Sequence, residues 1–368
     1  MDRIKKVLCV IGTRPEAIKM APVVLALQNT NWADVKVLAT AQHREMLDQV
    51  LSLFDIIPDF DLDIMAENQG LVDLTSRLLP ALDKTLEASS PDIVLAQGDT
   101  TTVMTTALAC FYRRIPYAHV EAGLRTGNIG NPFPEEMNRV VASHLSTIHF
   151  APTESSKSNL LQENIPETAI HVTGNTVIDA LLMTAEKDIE LDIVLDRSKR
   201  LVLMTSHRRE NFGSPMQEAF GAVRELVERN SDIEVVYPVH PNPNVKELAY
   251  GILGDHQRIK LIDPLDYAPF VQMMKQAFLI ISDSGGVQEE APALGKPVLV
   301  LRDKTERPEA VEAGVVKLVG TNRERILLET EKLLHDDNAY KSMARGVSPY
   351  GDGRAAERIS SILKQWAY

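Results

Sequence analysis

At 368 residues the chain is long enough for two domains of ordinary size. It is 44% hydrophobic yet has no apolar run of about 18 residues, which excludes a transmembrane helix. The net charge of −12 argues against a general nucleic-acid binder, though cations gathered locally can still hold a nucleotide. Cys9 and Cys110 lie in apolar stretches without local partners, so we expect a reducing cytoplasm, no disulfide framework and no metal site.

The basic start leads through a short apolar run, 7–11, straight into Gly12-Thr13-Arg14-Pro15, which reads as a first strand rather than a secretory leader. Strand-like runs then alternate with helical stretches, at 35–40, 93–97, 117–121, 148–151 and 170–173. After Gly174 the pattern restarts, with runs at 201–205, 234–239, 259–262, 278–282 and 298–301. This alternation predicts an α/β fold of two Rossmann-like domains, each with a parallel sheet, facing across a cleft. The expected boundaries are 1–172 and 173–353, with an amphipathic helix over 354–368.

The loops after the strands carry the chemistry, because open α/β sheets bind ligands at the carboxyl ends of their strands. Arg14 projects from the first such loop, with Pro15 in the first turn of the following helix and Lys19 one turn on. The stretch from Gln42 and His43 reads locally as a helix cap. The Asp61-Leu62-Asp63 triplet resembles the metal site of some sugar transferases, but it sits beside Pro58 in what reads as a polar loop, and we treat it as a decoy. Asp99 is either a base or an N-cap, and local sequence slightly favours the cap. Glu121 ends another strand, and Glu135 and Glu136 open a helix, where acids usually answer the dipole. Acids from three loops on one sheet edge are harder to explain as caps.

In the second half, His207-Arg208-Arg209 follows one strand and His240 lies in a proline-stiffened loop after the next. The run 277–281 is followed by Ser284-Gly285-Gly286, a short helix over 287–294, Gly295 as a stop, a buried strand over 297–301, and a loop with Arg302, Glu306, Arg307 and Glu309. A strand, a glycine pair and a helix start make an anion site, and the basic loop favours a diphosphate. Glu290, a turn along, suits a ribose diol. Without a metal-ligand cluster or a dinucleotide fingerprint, these pieces predict acid–base chemistry on a nucleotide sugar.

Taken together, GTRPEAIKMAP, TAQHREMLDQVLSLF, GDTTT, HVEAGLRT, PEEMNR, GNTVIDAL, HRREN, SDSGGVQEEAPALGKPVLVLRD and TERPEA resemble the non-hydrolysing UDP-N-acetylglucosamine 2-epimerases over nearly the whole chain. The resemblance implies a fold like the GT-B glycosyltransferases, with the C-terminal helix crossing back to the first domain. It implies reversible conversion of UDP-GlcNAc to UDP-ManNAc, by elimination to a bound 2-acetamidoglucal and re-addition, for surface polysaccharide synthesis. By motif, Asp99, Glu121, Glu135 and His207 match catalytic positions. Arg14, Lys19, Phe270, Ser284, Gly285, Gly286, Glu290 and Arg307 match UDP-binding ones. Gln42, His43, Arg208 and His240 match an activating UDP-GlcNAc site, and Asn68 stands where some members carry a basic residue. A homodimer without cofactor, metal, nucleic acid or membrane is implied. The competing expectations are a hydrolysing epimerase, a retaining GT-B transferase and a non-catalytic sensor.

Overall fold

The computed structural model describes residues 3–40, 44–64 and 69–366. The chain divides into two compact units, residues 1–180 with 350–368, and residues 181–349.

The first unit holds a seven-stranded parallel sheet. Its strands are β1 (Lys5–Ile11), β2 (Ala33–Ala39), β3 (Phe60–Asp61), β4 (Ile93–Gln97), β5 (Tyr117–Val120), β6 (Ile148–Ala151) and β7 (Ile170–Val172). They lie in the order β3-β2-β1-β4-β5-β6-β7. The central strands are buried along their length, as parallel strands covered on both faces must be. Asp61 belongs to the edge strand β3 and not to a loop: it pairs with Ala39, a register too short for the sequence pattern to signal.

The second unit holds a six-stranded parallel sheet. Its strands are β8 (Arg200–Thr205), β9 (Ile233–Pro238), β10 (Ile259–Ile262), β11 (Leu279–Ser282), β12 (Val298–Val300) and β13 (Val316–Leu318), in the order β10-β9-β8-β11-β12-β13. The helix Ser214–Arg229 buries Met216, Phe220, Val223 and Val227, apolar at three- and four-residue spacing, against Val202 and Tyr237.

The helix Ala355–Gln365 belongs to the first unit and is held at both ends. Buried Asp179 accepts from the amides of Ala355 and Ala356, at 3.2 and 2.8 Å. Lys5 Nζ donates to the carbonyls of Leu363 and Trp366, at 3.0 and 2.5 Å. An acid at the helix start and a cation at its end both complement the macrodipole. No helix among the described residues is long and apolar enough to cross a membrane.

Candidate functional site

Each sheet has one switch point, where the strands on either side are reached in opposite directions. It lies between β1 and β4 in the first sheet and between β8 and β11 in the second. No connection covers the strand ends there, so the two flanking loops are free to build a site.

In the first sheet those loops carry Arg14 and Asp99. Thr13 and Glu16 form a capping box at the start of the helix Arg14–Gln28. Glu16 is 3% exposed and does more than cap. Its Oε2 accepts from the amides of Gly12 and Thr13, at 2.5 and 3.0 Å, and its Oε1 accepts from the Thr100 hydroxyl at 2.5 Å. A Cβ on Gly12 would lie 2.7 Å from Thr102 Oγ1 and 2.9 Å from Thr40 Oγ1, so only glycine allows this closure. Burial pushes the Glu16 carboxyl up to about 7, against the lowering pull of Thr100 and the two amides. Arg14 is half-buried, and its guanidinium has no ion pair among the described residues.

Asp99 is not the cap of the next helix. Thr100 takes that role, accepting from Val103 N while its hydroxyl proton goes to Glu16. A cap must precede the helix by one residue, and the helix starts at Thr101, which leaves Asp99 outside. Its carboxylate instead meets Arg139, whose Nη2 and Nε lie 2.7 and 2.9 Å from Oδ2. Burial raises the Asp99 carboxyl and Glu121 adds to that, while Arg139 opposes it. The backbone around Asp99 is fixed by Asn138 Nδ2, donating to Asp99 O at 2.9 Å, and by His119 Nε2, 2.7 Å from Gly98 O.

Glu121 follows β5 in the left-handed region, at φ 65°, a conformation that costs a non-glycine residue about 1–2 kcal/mol. The hydrogen bonds it makes there hold it. Oε1 accepts from Lys19 Nζ at 2.6 Å and from Asn175 Nδ2 at 2.8 Å, and Oε2 accepts from Gln97 Nε2. Gly123, at φ +91°, completes the turn, since a Cβ there would sit 2.3 Å from Ser156 O. Glu135 and Glu136 open the helix Glu135–Leu145 and point to different work. Burial alone would raise the Glu136 carboxyl, but the amides of Thr126 and Gly127 and the Arg139 guanidinium hold it below its ordinary value. Glu135 is half-buried, and its carboxylate has no hydrogen bond or ion pair among the described residues.

In the second sheet the flanking loops carry His207-Arg208 and Ser284-Gly285-Gly286, and Asp283 joins them. Arg208 lies against the glycine pair: a Cβ on Gly285 would be 3.6 Å from its Nη2. The His240 ring stacks on His207 at 5.6 Å between centroids, 16° from parallel. The helix runs Gly285–Glu290, beginning earlier than the sequence suggested, and its last turn, Ala291–Leu294, tightens to a 3-10 helix around Pro292, which has no N–H to give. Thr305 Oγ1 donates to Gln288 at 2.6 Å and Arg307 pairs with Glu289, which ties the basic loop to this helix. Glu290 is buried, with the Tyr267 hydroxyl 3.5 Å away, and Phe270 is half-buried one turn further along the helix of Tyr267. Among the described residues no group of His, Cys, Asp or Glu is arranged to hold a metal ion. Gln42, His43 and Asn68 lie outside the described residues.

The family model for UDP-N-acetylglucosamine 2-epimerase matches residues 25–364. The chain belongs to that family. The Escherichia coli K12 and Salmonella typhimurium UDP-N-acetylglucosamine 2-epimerases are each 53% identical to it. The alignments cover 98% of this chain with 98% and 99% of those relatives. The crystal structure of the Neisseria meningitidis UDP-GlcNAc 2-epimerase, bound to UDP-GlcNAc, superposes with a TM-score of 0.86. It is 49% identical, covering 98% of this chain and 100% of that one. A glycotransferase of kitacinnamycin, 11% identical over 99% of each chain, shares the fold at a TM-score of 0.65, so the two parallel-sheet units are GT-B-like.

For a member of the epimerase family, sequence reasoning passed over four residues that touch the candidate acids or loops: Arg139, Asn175, Gln97 and Asp283. Arg139 and Asn175 were legible inside the quoted motifs PEEMNR and GNTVIDAL, but their partners are distant in sequence. Two further buried groups in the first unit bear on its acid stability. His119 and His149 pair across β5 and β6, each with Nδ1 buried and unpartnered. Burial pushes them down to about 4 and about 3. Both are neutral in the fold, so their contribution is present above pH 6.5 and is lost as pH falls from there, where the unfolded chain takes up protons the fold refuses. Glu16 acts oppositely between about 4.5 and about 7, but two histidines outweigh one carboxyl. We expect His149→Leu to lose about 1–2 kcal/mol less stability than wild type between pH 7 and pH 5. Urea midpoints across that range measure it, and parallel curves for the two proteins would contradict the assignment.

Proposed function

We propose that this chain inverts C2 of the sugar in UDP-GlcNAc, giving UDP-ManNAc, by eliminating UDP and adding it back. The observation that carries the reading is the pairing of functions at the two switch points: partnered, half-buried carboxylates at and beside one, and a glycine-pair helix start with histidine and arginine at the other. The UDP-GlcNAc bound in the Neisseria relative supports the substrate.

The chemistry follows from the bonds that change. The C2 proton is not acidic until the C1–O bond weakens and positive charge develops at C1. The diphosphate leaves with the bonding electron pair, a carboxylate takes the C2 proton, and a C1–C2 double bond forms, giving 2-acetamidoglucal and UDP. Re-addition of UDP at C1 with protonation of C2 from the opposite face yields the epimer. One face needs a base and the other an acid, so two carboxyls with different environments suit the task. We assign Asp99 and Glu121 to C2, with Glu135 in support. Burial raises the Asp99 carboxyl against the pull of Arg139, while Glu121 accepts from Lys19 and Asn175, so the two acids sit in different environments. Arg14, His207, Arg307 and the amides of Ser284, Gly285 and Gly286 would stabilise the leaving diphosphate, with Glu290 on the ribose and Phe270 on the base.

In deuterium oxide, proton NMR should show UDP-ManNAc appearing with deuterium at C2 and little free UDP. Free ManNAc with stoichiometric UDP would point to the hydrolysing reaction instead. Glu121→Gln and Asp99→Asn should each slow C2 exchange by about 10²–10⁴, and exchange at the wild-type rate would remove the residue concerned from the mechanism. We also propose a cytoplasmic homodimer that supplies ManNAc for surface polysaccharide, and an activating UDP-GlcNAc site drawing on Gln42, His43, Arg208 and His240. Sigmoidal turnover of UDP-ManNAc as sole substrate, by a species of twice the chain mass in light scattering, is the expected outcome. Hyperbolic kinetics contradict the activating site and a one-chain mass contradicts the dimer.

A further inference from the structure

Asp283 is fully buried, at the end of β11, and its carboxylate is the most heavily bonded polar group at the second switch point. Oδ2 accepts from Ser206 Oγ at 3.1 Å, from the amides of His207 and Arg208 at 2.9 Å each, and from Asn211 Nδ2 at 3.2 Å. Oδ1 lies 3.1 Å from His207 N and 3.3 Å from His207 Nδ1. The Nδ1 contact is an ion-pair distance rather than a formed hydrogen bond, and since a carboxylate only accepts, it favours a proton on the nitrogen that faces it. In a neutral His207 that leaves Nε2 with a lone pair, and Nε2 can donate to an anionic oxygen only when the ring is an imidazolium.

We propose that Asp283 is a positioning residue of the epimerisation site, fixing His207 in the Nδ1–H form so that the ring meets the departing diphosphate as an imidazolium donating from Nε2. The inference rests on the epimerase reading for its substrate, though not for its geometry. The neighbouring ring behaves differently. Asn242 N donates to His240 Nδ1 at 3.2 Å, so a neutral His240 carries its proton on Nε2. The two stacked histidines therefore hold opposite tautomers, and His240 is a built-in control. The groups that bear on His207 are Asp283, Arg208 and His240. Burial, Arg208 and His240 lower its proton affinity, and Asp283 is the one that raises it. Removing that charge lowers the affinity further.

The test has two arms. In wild type, nitrogen-15 NMR of the imidazoles above their titration range, with signals assigned by their loss in His207→Asn and His240→Asn, should show Nδ1–H for His207 and Nε2–H for His240. Nε2–H at His207 overturns the proposal, and this arm needs neither substrate nor an altered Asp283. In Asp283→Asn, His207 should shift to Nε2–H. We expect kcat to drop by about tenfold or more with KM changed by less than about threefold, since the neutral Nε2–H ring of the variant still donates but brings no positive charge to the departing diphosphate. The alkaline limb of kcat should also move to lower pH. An unchanged kcat with an unchanged limb overturns the proposal. Should the variant not fold, the wild-type tautomer decides alone. Failure of the wild type to epimerise UDP-GlcNAc at all would count against the functional reading and leave the tautomer measurement standing.

Discussion

Two buried carboxylates hold the working loops of this protein, one in each unit. Glu16 links the loop after β1 to the loop after β4, and Asp283 links the loop after β8 to the loop after β11. Both sit at the switch point of their sheet, where topology leaves two loop ends with no ladder to continue into. Taking a carboxylate out of water costs several kcal/mol, and only a full set of donors offsets it, at about 1.5–3 kcal/mol for each hydrogen bond to a charged group. That requirement makes the loops rigid: each donor comes from a backbone or side chain that must stay in place for the acid to remain buried. The groups proposed to touch substrate are neighbours of these anchors in sequence. Arg14 lies two residues from Glu16, Asp99 is next to Thr100, His207 donates its own amide to Asp283, and Ser284 follows Asp283 directly.

The same logic separates acids that anchor from acids available for chemistry. Glu16, Glu136 and Asp283 take their bonds largely from backbone amides, which cannot move away when charge changes elsewhere. Asp99 and Glu121 take theirs from side chains, Arg139 for one and Lys19, Gln97 and Asn175 for the other. Side-chain donors can be exchanged for a ligand, and a carboxyl held by them can change its protonation state without unmaking the backbone. The left-handed Glu121 fits this division, since its conformation is imposed by the turn at Gly123 and by its partners rather than preferred by the residue.

The alternating pattern of apolar runs was enough to read the two parallel sheets, because strands buried on both faces leave uninterrupted runs that survive without knowledge of their partners. Two of the four edge strands were legible, β7 and β10, and two were not. β3 and β13 are too short to mark themselves, and Asp61 consequently read as a loop residue. The acid-rich strand ends were visible as a set, because they share one sheet edge. Their individual roles were not, because local sequence cannot tell a cap from a candidate base when the helix start moves by one residue, as at Asp99 and Thr100. The anchors were hidden for a simpler reason. Asp283 finds its donors 72–77 residues away, and only the order of the strands brings them together.

The central claim is that the C1–O bond breaks and re-forms while UDP stays bound. UDP-GlcNAc carrying oxygen-18 in the bridge between C1 and the β-phosphorus tests it most directly. A freed diphosphate turns about its β-phosphorus before it adds back, so the account predicts that the label scrambles into the non-bridging β-phosphate oxygens as epimerisation proceeds. Epimerisation with every label still in the bridge would mean that no freely turning diphosphate forms, and would contradict the account.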